Sequence, residues 1–166
     1  DGYSDIMATE KSFTFLTNAS WTPDLQSGWS ISNWTPIYNI NYFLVHMREA
    51  KGLSEATYNH YEGTARFWRA WQYFEKVKTF GAVPWYDEPI DPEDMVALYK
   101  PRDSREYVME RVLEDLNFAC EHCYTSSDWI NCARINRYIA LAYKARVCLF
   151  EGTYRKYHSV DPSTGK

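Results

Sequence analysis

The chain has 166 residues, a formal net charge of -4 and a pI near 5.6, and 17% of it is aromatic. An acidic balance with no basic stripe argues against a nucleic-acid partner, whose phosphates would need neutralising. No apolar run of about 18 residues occurs, so no bilayer-spanning helix is expected. The opening DGYSDIMATEK has no basic-then-apolar leader pattern, and the aromatic excess is the feature that asks for a function.

Residues 1–33 have neither helical nor strand periodicity and are rich in Ser, Thr, Asn, Asp and Gly, which predicts an irregular arm. From about Asn33 to Ala50, Ile37, Ile40, Leu44 and Met47 recur at three- and four-residue steps, predicting a first helix with Pro36 in its first turn and Gly52 at its end. A second helix is expected from about Glu55 to Thr79, capped by Ser54. Phe67, Ala70, Trp71, Phe74 and Val77 form its core stripe, Trp68 and Tyr73 lie at the seam with a second helix pair, and Arg66, Arg69, Glu75, Lys76 and Lys78 face elsewhere. Gly81 and Pro84 end it.

The stretch VPWYDEPIDPEDMVALYKPR holds four prolines and five acids, so residues 81–102 are expected to be a long extended insertion. A third helix then starts with Asp103 and Glu106 as a capping box, and Val108, Val112, Leu113, Leu116, Ala119, Cys120 and Cys123 supply its stripe. The fourth, about Ala133 to Phe150, is apolar nearly all round, as in a helix packed between neighbours, with Gly152 as its stop. The fold class is all-α, with a helical core over 34–152.

No reactive constellation emerges. His46, His60, His122 and His158 have no nucleophile or acid at meaningful spacing, so no catalytic residue is assigned. Cys120, His122 and Cys123 lack a second ligand pair at zinc-finger spacing, and neither a metal nor a cofactor is expected. Cys123 and Cys132 flank a short polar turn that a disulfide could bridge in an oxidising compartment, while Cys148 reads as a buried thiol. The acids Asp87, Glu88, Asp91, Glu93 and Asp94 lack the spacing of a calcium loop and read as a solvated run rather than a glycosidase pair.

Sugar recognition asks for flat aromatic faces beside amides, carboxylates or arginines. WTPDLQSGWSISNW meets this with Asp24, Trp29, Asn33 and Trp34, and Trp85 stands outside the helices in the acid-rich connection. The competing reading docks both arm tryptophans on the helices, as Trp129 would pack on helix ends.

Three blocks, ARFWRAWQYFEKVKTFGAVPW, KPRDSREYVMERVLEDLNFA and RINRYIALAYKARVCLFEGTYRKYH, occur in the order found in the RagB/SusD family, the glycan-capture lipoproteins of Bacteroidetes outer membranes. The first resembles the family at Arg66, Phe67, Arg69, Ala70, Tyr73, Phe74, Val77, Phe80, Gly81, Val83 and Pro84. The second does so at Pro101, Arg102, Asp115, Leu116 and Ala119, the third at Arg134, Ala140, Ala145, Arg146, Leu149 and Gly152, and YNINYFL is similar to the family's first helix.

The resemblance spans about residues 28–158 and implies the N-terminal part of a longer SusD-like domain, with 153–166 opening its remainder. It implies a right-handed superhelix of tetratricopeptide-like helix pairs, 55–79 with 104–123, and 133–150 opening the next. It further implies non-catalytic glycan capture at the outer face of the outer membrane, through a lipid anchor outside this chain, and delivery to a SusC-like TonB-dependent transporter. Rival expectations are a helical-repeat adaptor that binds only protein and an all-α glycoside hydrolase.

Overall fold

In a computed structural model the structure describes residues 28–125 and 134–158. Asp24, Trp129, Cys132 and the arm up to residue 27, and with them the Cys123–Cys132 bridge, lie outside the described residues. The described residues are all-α: α1 (Ile31–His46), a 3-10 turn (Met47–Glu49), α2 (Glu55–Phe80), the one-turn α3 (Met95–Leu98), α4 (Arg105–His122) and α5 (Arg137–Tyr157). The chain divides into two compact units, 1–34 and 35–166.

The first helix begins at Ile31, two residues earlier than its periodicity suggests, so Pro36 lies in the second turn and cannot donate to the Ser32 carbonyl. Its regular part ends at His46, and Gly52, at φ 86°, lies beyond the 3-10 turn in the link to α2.

Ser54 caps α2 by accepting from the Thr57 N–H at 3.2 Å. At the other end Gly81, at φ 71° and ψ -110°, donates to the Val77 carbonyl at 2.9 Å in a conformation that disfavours any other residue.

Between these caps α2 buries two stripes. His60, Gly63, Phe67, Ala70, Phe74 and Val77 step by three and four, and Ala65, Arg69, Tyr73 and Lys76 form a second row. Arg69 and Lys76, expected on an outward face, are therefore buried. Tyr73 is fully buried, whereas Trp71, expected in the core, is only half-buried. Phe74, in contact with both Tyr143 and Phe150 of α5, contributes about 1.5–3 kcal/mol by its burial.

In α4, Val108, Val112, Leu116 and Ala119 face α2, and Cys123 closes the row at the helix end. Its cap is Ser104, which accepts from the Tyr107 N–H, not Asp103. Asp103 instead accepts from the Trp85 N–H at 2.7 Å, while its own N–H donates to the Val83 carbonyl in an isolated antiparallel bridge. The two ends of the long connection are thereby closed on each other. Inside it Asp94 caps α3, a turn of helix where only extended chain was expected.

Asn136 caps α5, which continues through Gly152 to Tyr157. An exposed mid-helix glycine costs only about 1 kcal/mol against alanine, too little to stop a helix whose next turn carries the Arg155–Glu151 pair at 2.8 Å. Only Ala140 and Val147, two turns apart, are buried on α5. Leu141, Leu149 and Cys148 are exposed, so among the described residues this helix is covered by α4 and α2 on one side only, and Cys148 is not the buried thiol its neighbours suggested.

Candidate functional site

The connection between α2 and α4 is held from below by a buried polar cluster. Arg69 donates through Nε to Asp115 Oδ2 at 2.7 Å and through Nη2 to Asp115 Oδ1 at 2.8 Å. Its remaining nitrogen, Nη1, reaches Asn41 Oδ1 at 3.1 Å and the Asp87 carbonyl at 3.3 Å. Asn41 donates onward to the Tyr86 carbonyl at 2.8 Å, and the Tyr86 N–H donates to the Tyr73 hydroxyl at 2.7 Å. Side chains of α1 and α2 thus take up part-buried backbone groups of residues 86–88, and Asp115 of α4 holds Arg69 in place for its share.

Electrostatics follow from this enclosure. Burial pushes the Asp115 carboxyl up against the pull of Arg69. Burial likewise works against the Arg69 charge, but the Asp115 hydrogen bonds and charge outweigh it and hold the guanidinium above its ordinary value. Burial also drives the Tyr73 phenol well up, keeping it a neutral donor and acceptor.

Of the sequence candidates, Trp85 sits in this cluster. It is 5% exposed, with its ring 4.1 Å from Tyr73 and Arg69 at 5.3 Å from its centroid. Trp85 is therefore packed, and offers a cleft wall rather than an open face for stacking.

Trp29 and Trp34 bracket the first turn of α1 within the first unit. Their rings meet edge to face at 5.2 Å and 82°, and both are half-buried. Asn33 is exposed beside them and accepts at Oδ1 from the Ser30 hydroxyl at 2.6 Å. In this edge-to-face pair the edge of one indole meets a face of the other, and the amide of Asn33 carries both a donor and an acceptor group. Trp29, Asn33 and Trp34 are thus brought together, and Trp85 belongs to a different cluster.

The acids of the connection are exposed, and Asp91 and Asp94 spend carboxylate oxygens on turn and cap N–H groups. Among the described residues no group of three His, Cys, Asp or Glu could hold a metal, and no helix is long and apolar enough to cross a membrane. Periodicity missed the importance of Asn41, Arg69, Tyr73 and Asp115; the signal available was polar residues recurring at core spacing.

A family model described as SusD-like, starch-binding and associating with the outer membrane matches residues 4–149. Among solved structures, a SusD-like protein from Bacteroides fragilis is 29% identical with a TM-score of 0.63, over 72% of this chain and 23% of that one. Surface glycan-binding protein A from Bacteroides fluxus is 25% identical with a TM-score of 0.58, over 80% and 28%. A laminarin-binding SusD-like protein shares the fold at 23% identity and a TM-score of 0.64, over 78% and 27%. No curated protein matches. The chain spans about a quarter of the length of these structures, and by the match over residues 4–149 it belongs to the SusD-like family.

Proposed function

We propose that this chain is part of a non-catalytic glycan-binding protein of the outer-membrane surface. The observation that carries this reading is family membership through residues 4–149, supported by the fold shared with a surface glycan-binding protein at 25% identity. The helices α2 and α4 serve as the first pair of a tetratricopeptide-like superhelix, and α5 opens the next. Trp29 and Trp34 present indole faces to the C–H faces of sugar rings, while Asn33 and Asp24 meet the hydroxyls. A lipid anchor outside this chain holds the protein at the membrane, and captured oligosaccharide passes to a SusC-like TonB-dependent transporter.

Calorimetric titration with soluble polysaccharides tests the reading. Replacing Trp29 and Trp34 together with Ala is expected to weaken binding at least tenfold with helix content unchanged. Parallel loss of fold and binding would mark them as packing residues, and release of reducing sugar would favour a hydrolase.

A further inference from the structure

Within the second unit an open cleft of about 500 Å3 lies between α1, α2, α4 and the connection. That size is in the range of sites for small ligands. The apolar lining is Leu44, Val45 and Trp85; the rest is charged.

Four guanidiniums line it, and each already faces a carboxylate. Arg48 lies 3.2 Å from Glu55 and 3.6 Å from Glu62, and Arg66 lies 2.7 Å from Glu62 and 3.6 Å from Asp115. Arg69 is paired with Asp115 at 2.7 Å and Arg111 with Glu114 at 2.5 Å. Arg66 is also fixed from the side by the Phe118 ring, 4.3 Å away. The carboxylates of Asp87 and Glu88 make no ion pair among the described residues. Four arginines therefore stand against Glu62, Asp87, Glu88, Glu114 and Asp115, leaving the lining one negative charge in excess.

We propose that this cleft is a second sugar subsite, separate from the tryptophan pair, and that it selects neutral over acidic glycans. The proposal rests on the glycan-binding reading above. Paired arginines keep N–H groups for hydroxyl oxygens, since a guanidinium has five donors, and the carboxylates keep lone pairs for hydroxyl protons. A vicinal diol can use both kinds of group at once, with the apolar lining beneath the ring. A uronate carboxylate meets no arginine here whose charge is not already offset by an acid, and it enters an already negative surface. The mutual pairing also holds the side chains in place before the ligand arrives, which lowers the ordering cost of binding.

The test is calorimetric titration of the protein with soluble α-glucan, β-glucan, mannan and xylan, and with polygalacturonate. The variants are Arg48→Ala with Glu114→Ala, and separately Trp29→Ala with Trp34→Ala. The side chains of Arg48 and Glu114 are 52% and 53% exposed, so their removal is expected to leave Tm within about 2 °C. The expected result is a neutral glycan bound at least tenfold more tightly than polygalacturonate, with that affinity falling at least tenfold in the cleft variant. Should the cleft double variant fold poorly, Glu114→Gln alone is expected to weaken neutral binding about threefold. Wild-type affinity in the cleft variant, with loss in the tryptophan variant, overturns the subsite and leaves the glycan-binding reading standing. A preference for polygalacturonate overturns the selectivity, and no binding of any of these glycans, polygalacturonate included, by the wild type overturns both readings.

Discussion

Arg69 on α2 and Asp115 on α4 join their helices by a two-bond ion pair whose side chains are only 7% and 3% exposed. The pair also orients the remaining guanidinium nitrogen toward Asn41 and the Asp87 carbonyl, so it fixes α1 and the connection as well. Removing one partner strands a buried charge. Asp115→Ala is accordingly expected to cost about 3–5 kcal/mol in denaturant unfolding. The double variant Arg69→Met with Asp115→Leu, which leaves no lone charge, is expected to lose less than the single one. A single variant that unfolds like the wild type would show the pair to be dispensable.

The tryptophans separate by the same logic. Trp85→Ala removes a 5% exposed ring from between Tyr73 and Arg69 and is expected to cost about 3–5 kcal/mol. Trp71, half-buried and edge-on to the exposed Trp68 at 5.8 Å, is expected to cost markedly less when truncated. Equal losses in thermal unfolding would contradict the packing described here.

These cases show what was legible in the sequence. The rows Phe67, Ala70, Phe74, Val77 and Val108, Val112, Leu116, Ala119 are readable as helix faces, because apolar residues at three- and four-residue steps have little else to do than meet one another. The second buried row of α2 was hidden. Arg69 and Lys76 look like surface residues by type, and the partners that bury Arg69 come from Asn41, Asp115 and the backbone near Asp87, remote in sequence. Trp85 misled for the converse reason, because a tryptophan in a proline-rich connection reads as exposed until Asp103 and Tyr73 are seen to fold that connection inward. The pairing of Trp29 with Trp34 across one turn was within reach of spacing alone, since residues flanking a helix start meet once its first turn forms.

Glu151 sets how α5 responds to acid. It accepts from Arg105 of α4 at 2.8 Å and 2.6 Å and from Arg155 at 2.8 Å. Burial alone would raise its carboxyl, but the hydrogen bonds and charges of the two arginines outweigh burial and hold it below the usual range. A depressed folded pKa means the stabilisation is complete above the unfolded carboxylate value, about 4.3, and is lost as pH falls through the folded one. Thermal unfolding followed downward from about pH 7 is therefore expected to fall less steeply for Glu151→Gln than for the wild type at the acid end. Parallel curves would remove this carboxylate as the acid-sensitive contact between α4 and α5.

Two helical glycines are expected to respond oppositely to alanine. At Gly152 an added Cβ meets nothing within 4 Å, so Gly152→Ala should raise stability by about 0.5–1 kcal/mol through the lost backbone freedom of glycine. At Gly63 the same atom would stand 3.0 Å from Cys123 Sγ and 3.4 Å from Ala119 Cα, where α2 meets the end of α4. Cys123 is fully buried, so its sulfur has little room to retreat. Gly63→Ala is expected to lower stability by about 1–3 kcal/mol despite the better helix propensity of alanine. Pairing it with Cys123→Ala removes the crowding sulfur and should recover part of that loss, which a double-mutant cycle of unfolding free energies measures. Additive effects in that cycle would mean that the contact between Gly63 and Cys123 does not set the approach of the two helices.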